Sequence, residues 1–180
     1  MQIKQVTHSN EKGFPQAVLD PALGNAEVSG AWELLTRESL FKLQGFSKEH
    51  MKALYSLAYT RYSIAQYEDS EKIFILLCLL EHKQKRNWVG LGASRQMNKN
   101  YIGAVYAYMQ ASHMDQASPA VWVYLAECLL ELHQISEAEA ALRQASDRCG
   151  SMPEHEKFRQ KIQFLKTYFF KKNSKSILNK

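Results

Sequence analysis

Residues 85–118 read KRNWVGLGASRQMNKNYIGAVYAYMQASHMDQAS, and residues 119–152 read PAVWVYLAECLLELHQISEAEAALRQASDRCGSM. Laid one over the other, Trp88 falls on Trp122, Leu91 on Leu125, Gly92 on Ala126, Tyr101 on Ile135, Ala104 on Ala138, Tyr108 on Leu142 and Ala111 on Ala145. The preceding segment continues the rows with Leu57, Ala58, Tyr67, Ser70, Phe74 and Leu77. Large apolar and small residues thus recur with a 34-residue period.

That period is the mark of the tetratricopeptide repeat, two antiparallel helices joined by a short turn. Three repeats follow: Met51–Gln84, Lys85–Ser118 and Pro119–Met152. The predicted fold is therefore all-α, an α-solenoid of three repeats. In each, the first helix ends near position fourteen, and Gln66, Asn100 or Gln134 sits in the turn before the second helix. The small residues at positions eight and twenty mark where paired helices approach closely. A larger side chain there costs about 1–3 kcal/mol in overpacking. Leu57, Leu91 and Leu125 at position seven, and Trp88 and Trp122 at position four, read as core.

Outside the repeats the pattern changes. Residues 1–25 carry Gly13, Pro15, Pro21 and Gly24 without periodicity and read as a flexible arm. Residues 26–46 read as an N-terminal helical region anchored by Trp32, Leu35, Leu40 and Leu43. Ser47 then caps a helix from Lys48. After Met152-Pro153, the spacing of Phe158, Ile162, Leu165 and Phe169 predicts a capping helix from Glu154 to about Lys171. The domain spans 47–172, and 173–180 read as a polar tail.

Composition excludes several classes. The net charge of +5 on 180 residues fits an acidic partner, a membrane surface or nucleic acid, and equally a plain soluble surface. The lysines at 166, 171, 172, 175 and 180 beside Phe164, Tyr168, Phe169 and Phe170 admit RNA or lipid contact, or only a solvated tail. Cys78, Cys128 and Cys149 have neither CxxC nor zinc-ligand spacing. They read as small core residues in a reducing cytosol. No secretory signal is visible, and the longest apolar run, Ile73–Leu80, is too short to span a bilayer. No phosphate-binding glycine loop, HExxH or GxSxG occurs, and the histidines lack a carboxylate cluster, so neither an enzyme nor a cofactor or metal is expected.

A solenoid of this kind holds another protein on its concave side. Positions two, five, nine and twelve of each first helix face that side. They give Lys52, Tyr55, Tyr59 and Tyr62; then Arg86, Val89, Ala93 and Gln96; then Ala120, Val123, Glu127 and Leu130. Tyrosine offers a large rigid surface with a polar tip, and the groove suits an extended peptide with apolar anchors. Tyr55 and Tyr59 argue against a clamp for an acidic C-terminus, which needs Lys and Asn there. The second helix of repeat one is apolar all round: beside Phe74, Leu77 and Leu80 it carries Ile75, Leu76 and Leu79. Either the N-terminal helix or another subunit covers that excess.

The stretches ALYSLAY (53–59), QYED (66–69), LCLLEH (77–82), GLGASRQ (90–96) and AECLL (126–130) resemble the class II chaperones of bacterial type III secretion. The resemblance covers about Leu34 to Gly150 and includes the non-consensus His82, Arg95, Glu127 and Cys128. It implies a cytoplasmic protein that binds two hydrophobic translocators through an extended segment in the groove, and that often assists a transcriptional activator. It implies substrate contacts at Tyr55, Tyr59, Tyr62, Tyr67, His82, Val89, Ala93, Tyr108, Val123 and Glu127. It also implies a homodimer involving the N-terminal region, with Leu76 and Leu80 as dimer contacts; Trp32, Leu35, Ile75 and Leu79 join them as interface candidates. Neither nucleic acid nor stable membrane association is part of it.

Overall fold

The computed structural model describes residues 46–114 and 118–177, with side chains as far as Tyr168. The expected arm at 1–25 and helical region at 26–45, with Trp32 and Leu35, lie outside the described residues. Among those residues the regular structure is helical: α1 (Lys48–Ser63), α2 (Tyr67–Leu80), α3 (Lys85–Met97), α4 (Tyr101–Met114), α5 (Pro119–Glu131), α6 (Ile135–Cys149), a 3-10 turn at Pro153–His155, and α7 (Glu156–Ile177). Each helix packs on the next in sequence, and α7 also packs on α5.

Local chemistry sets the boundaries. At the start of α1, the His50 N–H donates to Ser47 Oγ and the Ser47 N–H donates to His50 Nδ1, each at 3.2 Å. This reciprocal cap satisfies two otherwise orphaned donors. Pro119 opens α5, where its missing N–H removes no helical bond. Every first helix ends the same way. Ala65, Lys99 and His133, 34 residues apart, have φ of 60°, 62° and 58°. The next N–H, of Gln66, Asn100 or Gln134, donates to the carbonyl five residues back at 2.9 Å. These are Schellman turns, which favour glycine at the left-handed residue. This chain makes all three without one, and the turn reverses the backbone so that the second helix runs back along the first.

The predicted rows hold the pairs together. Ala58, Ala104, Ala126 and Ala138 are fully buried, and Trp88 and Trp122 lie in the same core. Ser70 replaces alanine at position twenty of repeat one, and its hydroxyl donates to the Ala58 carbonyl at 2.9 Å. Across the repeat boundary, Arg95 Nε donates to Glu71 Oε1 at 2.8 Å and its Nη1 donates to the Gly103 carbonyl at 3.1 Å. This half-buried pair ties α2, α3 and α4.

Three expectations need correction. Leu57, expected in the core row, is 44% exposed. No described helix packs on the outer face of α1, where Leu57 lines a shallow cleft with Phe46, His50, Ala53 and Leu54. Leu80, an interface candidate, is buried in the chain's own core; Ile75 is half-buried against that core, Leu79 is half-buried, and Leu76 is exposed. Helix α7 runs to Ile177 rather than ending near Lys171. Residues 172–177 contain neither Gly nor Pro, and lysines near a helix C-terminus favour the dipole.

The left-handed turns predict a simple gain. Lys99→Gly relieves a backbone conformation that a Cβ opposes, and should raise the unfolding free energy by about 0.5–1 kcal/mol in a urea titration. A loss of stability would show that the Lys99 side chain, not the turn, matters there.

Candidate functional site

Helices α1, α3 and α5 line the inner side of the solenoid, and a groove of about 630 Å³ runs across them. Its first end is aromatic. Tyr55, Tyr59 and Tyr62 come from successive turns of α1, a spacing that places them on one face. Tyr59 is 61% exposed. The Tyr55 ring meets Phe74 edge-on at 5.6 Å, and the Arg86 guanidinium lies 4.8 Å from its centroid. That contact holds a cation at the rim without a carboxylate.

The middle is open because of a glycine. Gly90 sits on α3 where repeat one has Ser56 and repeat three Tyr124. A Cβ on Gly90 would run into the Phe74 ring. Without it, Phe74 of α2 reaches between the helices and forms part of the groove floor, flanked by Val89, Ala93 and Met97. Gly92 does the same for Tyr108, whose ring would lie 2.6 Å from a Cβ at that position.

The far end is polar and internally bonded. The Tyr108 hydroxyl donates to Gln96 Oε1 at 2.9 Å, and Gln96 Nε2 approaches Glu127 Oε2 at 3.4 Å. The other Glu127 oxygen lies 2.6 Å from Lys161 Nζ on α7. Tyr124 packs beside Tyr108 with centroids 5.7 Å apart. Burial pushes the Tyr108 phenol well above the usual range, and the nearby Cys128, Tyr62, Tyr124 and Glu127 add to this. Burial raises Tyr62 as well, with smaller contributions from Tyr67, Tyr124 and Tyr59. Both hydroxyls therefore stay neutral near pH 7. Burial also pushes the Cys128 thiol up to about 12, which leaves it protonated and unreactive.

The structure brings together Tyr55, Tyr59, Tyr62, Arg86, Val89, Ala93, Gln96, Tyr108 and Glu127. It leaves others out. Val123 is 1% exposed and Leu130 is also buried in the core. Helix α5 is packed by α4, α6 and α7, so these two positions face protein rather than a groove. Tyr67 packs edge-on against Tyr62 at 5.4 Å and does not line the groove. The His82 carbonyl accepts the Trp88 indole N–H at 2.7 Å, which fixes the turn between repeats away from the groove. Sequence reasoning missed Phe74, Lys85, Gly90, Met97 and Tyr124. The signal for Gly90 was present: a glycine inside a helix needs a packing reason.

Comparison with known proteins agrees with this architecture. A tetratricopeptide repeat family model matches residues 97–148. The Low calcium response locus protein H of Yersinia pseudotuberculosis is 35% identical over 120 residues, covering 67% of this chain and 71% of that protein. The type III secretion chaperone SycD of Yersinia enterocolitica, solved in complex with a peptide of the translocator YopD, is 34% identical. That match has a TM-score of 0.66 over 70% of this chain and 97% of that one. PcrH of Pseudomonas aeruginosa, in complex with the chaperone binding region of PopB, is 31% identical. Its TM-score is 0.64 over 67% of this chain and 98% of that one.

The glycine floor gives a prediction against propensity. Alanine is the better helix former by about 1 kcal/mol, yet Gly90→Ala should destabilise the protein by about 1–3 kcal/mol in urea, because Phe74 must move. A more stable variant would show that Phe74 yields without strain.

Proposed function

The chain belongs to the translocator chaperones of bacterial type III secretion, and from that premise we propose that its groove holds an extended segment of a hydrophobic, pore-forming translocator in the bacterial cytoplasm. The observation that carries this reading is the groove across α1 and α3, where tyrosines, Val89 and Ala93 lie side by side above the buried Phe74 ring. Apolar anchors of an extended peptide fit such gaps, while neutral tyrosine hydroxyls and Gln96 meet its backbone. The complexes of SycD with a YopD peptide and of PcrH with the binding regions of PopB and PopD support the same use of the fold. The mechanism is stoichiometric cover: an aggregation-prone segment is kept from water until export. No bond is made or broken, and no catalytic residue is required.

A second copy of the chain is the other partner this reading assigns. SycD has been solved as an alternative dimer. Here Leu57 on α1 and Leu76 on α2 are exposed, and large apolar surfaces on a small protein favour association.

Two outcomes check these assignments. Tyr55→Ala with Tyr59→Ala should weaken binding of a fluorescent translocator peptide by roughly 10- to 100-fold, as removal of two aromatic anchors does. An unchanged affinity in a folded variant removes the groove from the mechanism. Leu76→Glu should shift the protein toward monomer in sedimentation velocity with the melting temperature preserved; an unaltered distribution takes α2 out of the interface.

A further inference from the structure

Charge is spread unevenly along this chain. Of its 23 Lys and Arg, eight lie in residues 157–180, which contain no Asp or Glu. The first 156 residues therefore carry all 18 acidic groups against 15 basic ones. The positive charge of the protein is a property of α7 and its end.

The register of α7 orders that charge further. At 3.6 residues per turn, Lys157 and Lys161 share a face about 60° wide with Phe164 and Tyr168, Arg159 and Lys166 lie on the far side, and Lys171, Lys172 and Lys175 follow in sequence. From Lys157 to Lys175 the helix extends about 27 Å at 1.5 Å per residue. Ile162 and Leu165, which are buried in the solenoid, lie about 100° round the helix from that face. The apolar seam is thus already occupied, and the face with Phe164 and Tyr168 lies outside it. On that face, Phe164 and Tyr168 are 59% and 52% exposed, and their rings stack at 5.8 Å with planes 15° apart. An exposed aromatic pair is not needed to cap a solenoid. Lys161 is partly engaged by Glu127; the ion pair fixes α7 on α5.

We infer that this ridge docks the chaperone on an anionic phospholipid surface, with Phe164 and Tyr168 at headgroup depth and the lysines on either side paired with lipid phosphates. A helix lying in the interface uses this combination of basic and aromatic residues. Each lysine near an anionic leaflet adds attraction that falls off within a Debye length. Two rings provide a small apolar anchor, so the contact is reversible, and none of the described helices is long and apolar enough to span a bilayer. Single-stranded nucleic acid is the weaker fit: bases stack face to face on aromatic rings, and here the two rings are already engaged with each other in an offset stack. The inference stands apart from the groove assignment.

Flotation of the full chain with vesicles tests it. Vesicles of phosphatidylglycerol and phosphatidylethanolamine should bind the protein at low salt, and phosphatidylcholine vesicles should not. Raising ionic strength from about 0.05 to about 0.5 M should weaken binding roughly tenfold or more. Combined Lys171→Glu, Lys172→Glu and Lys175→Glu should weaken it at least as much. So should Phe164→Ser with Tyr168→Ser, which leaves the buried seam intact. If the glutamates reduce helix content by circular dichroism, Lys171→Gln, Lys172→Gln and Lys175→Gln replace them. Equal binding to neutral vesicles, unchanged binding by the lysine or the aromatic variant, or an oligouridine that binds more tightly than the vesicles would each overturn the assignment.

Discussion

The close approach of paired helices is the constraint on which the rest of this protein depends. Ala58, Ala126, Ala104 and Ala138 have no exposed surface, and the Ser70 hydroxyl reaches the backbone of α1 across the same gap. Helices this close leave room for a large side chain only where the facing residue is glycine. Phe74 and Tyr108 are the result. Each comes from a second helix, and each passes over a glycine of α3 to reach the concave side. The groove is therefore made by the packing as well as by the inner helices. Its floor is built from residues that a list of inner-face positions omits.

That origin explains what the sequence could disclose. Periodicity placed the turns at Gln66, Asn100 and Gln134 and the second helices at Tyr67, Tyr101 and Ile135, because every repeat solves the same local problem. Position numbers carried less at the groove. They assume that each first helix has an open inner side, and this is true of α1 and α3. Helix α5 has α7 against it, so Val123 and Leu130 turn inward although their repeat positions match those of Tyr55 and Tyr62. At the opposite end, Leu57 occupies a core position in a helix with no described neighbour on that side. End effects of a short solenoid have no periodic signature.

The residues that distinguish this chain from a generic repeat fall into two groups. Arg95 and Glu127, which carried part of the family resemblance, are both held within the chain. Arg95 joins Glu71 to Gly103, and Glu127 joins Gln96 to Lys161. Their role here is structural and independent of ligand: each bonds side chains or backbone from different helices, and loss of one partner would strand a half-buried charge. Among the described residues, Tyr55, Tyr59 and Arg86 make no such cross-link through a carboxylate, and all three line the groove.

Glu127 is where the two surfaces meet. One of its oxygens faces Gln96, which accepts the Tyr108 hydroxyl in the groove; the other holds Lys161, at one edge of the basic ridge. A ligand group that displaced Gln96 from Glu127 would leave the carboxylate to Lys161 alone and strengthen that pair. An anionic surface drawing Lys161 away would do the reverse. By linkage, each event changes the other by the same factor. The size of that factor is bounded by one ion pair whose lysine is half exposed, so the coupling is small. It nonetheless has a direction: if both proposed roles hold, occupancy of the groove and docking of the ridge would compete for one carboxylate and its cation. A chaperone resting on a membrane would then hold its cargo slightly less firmly than one in solution.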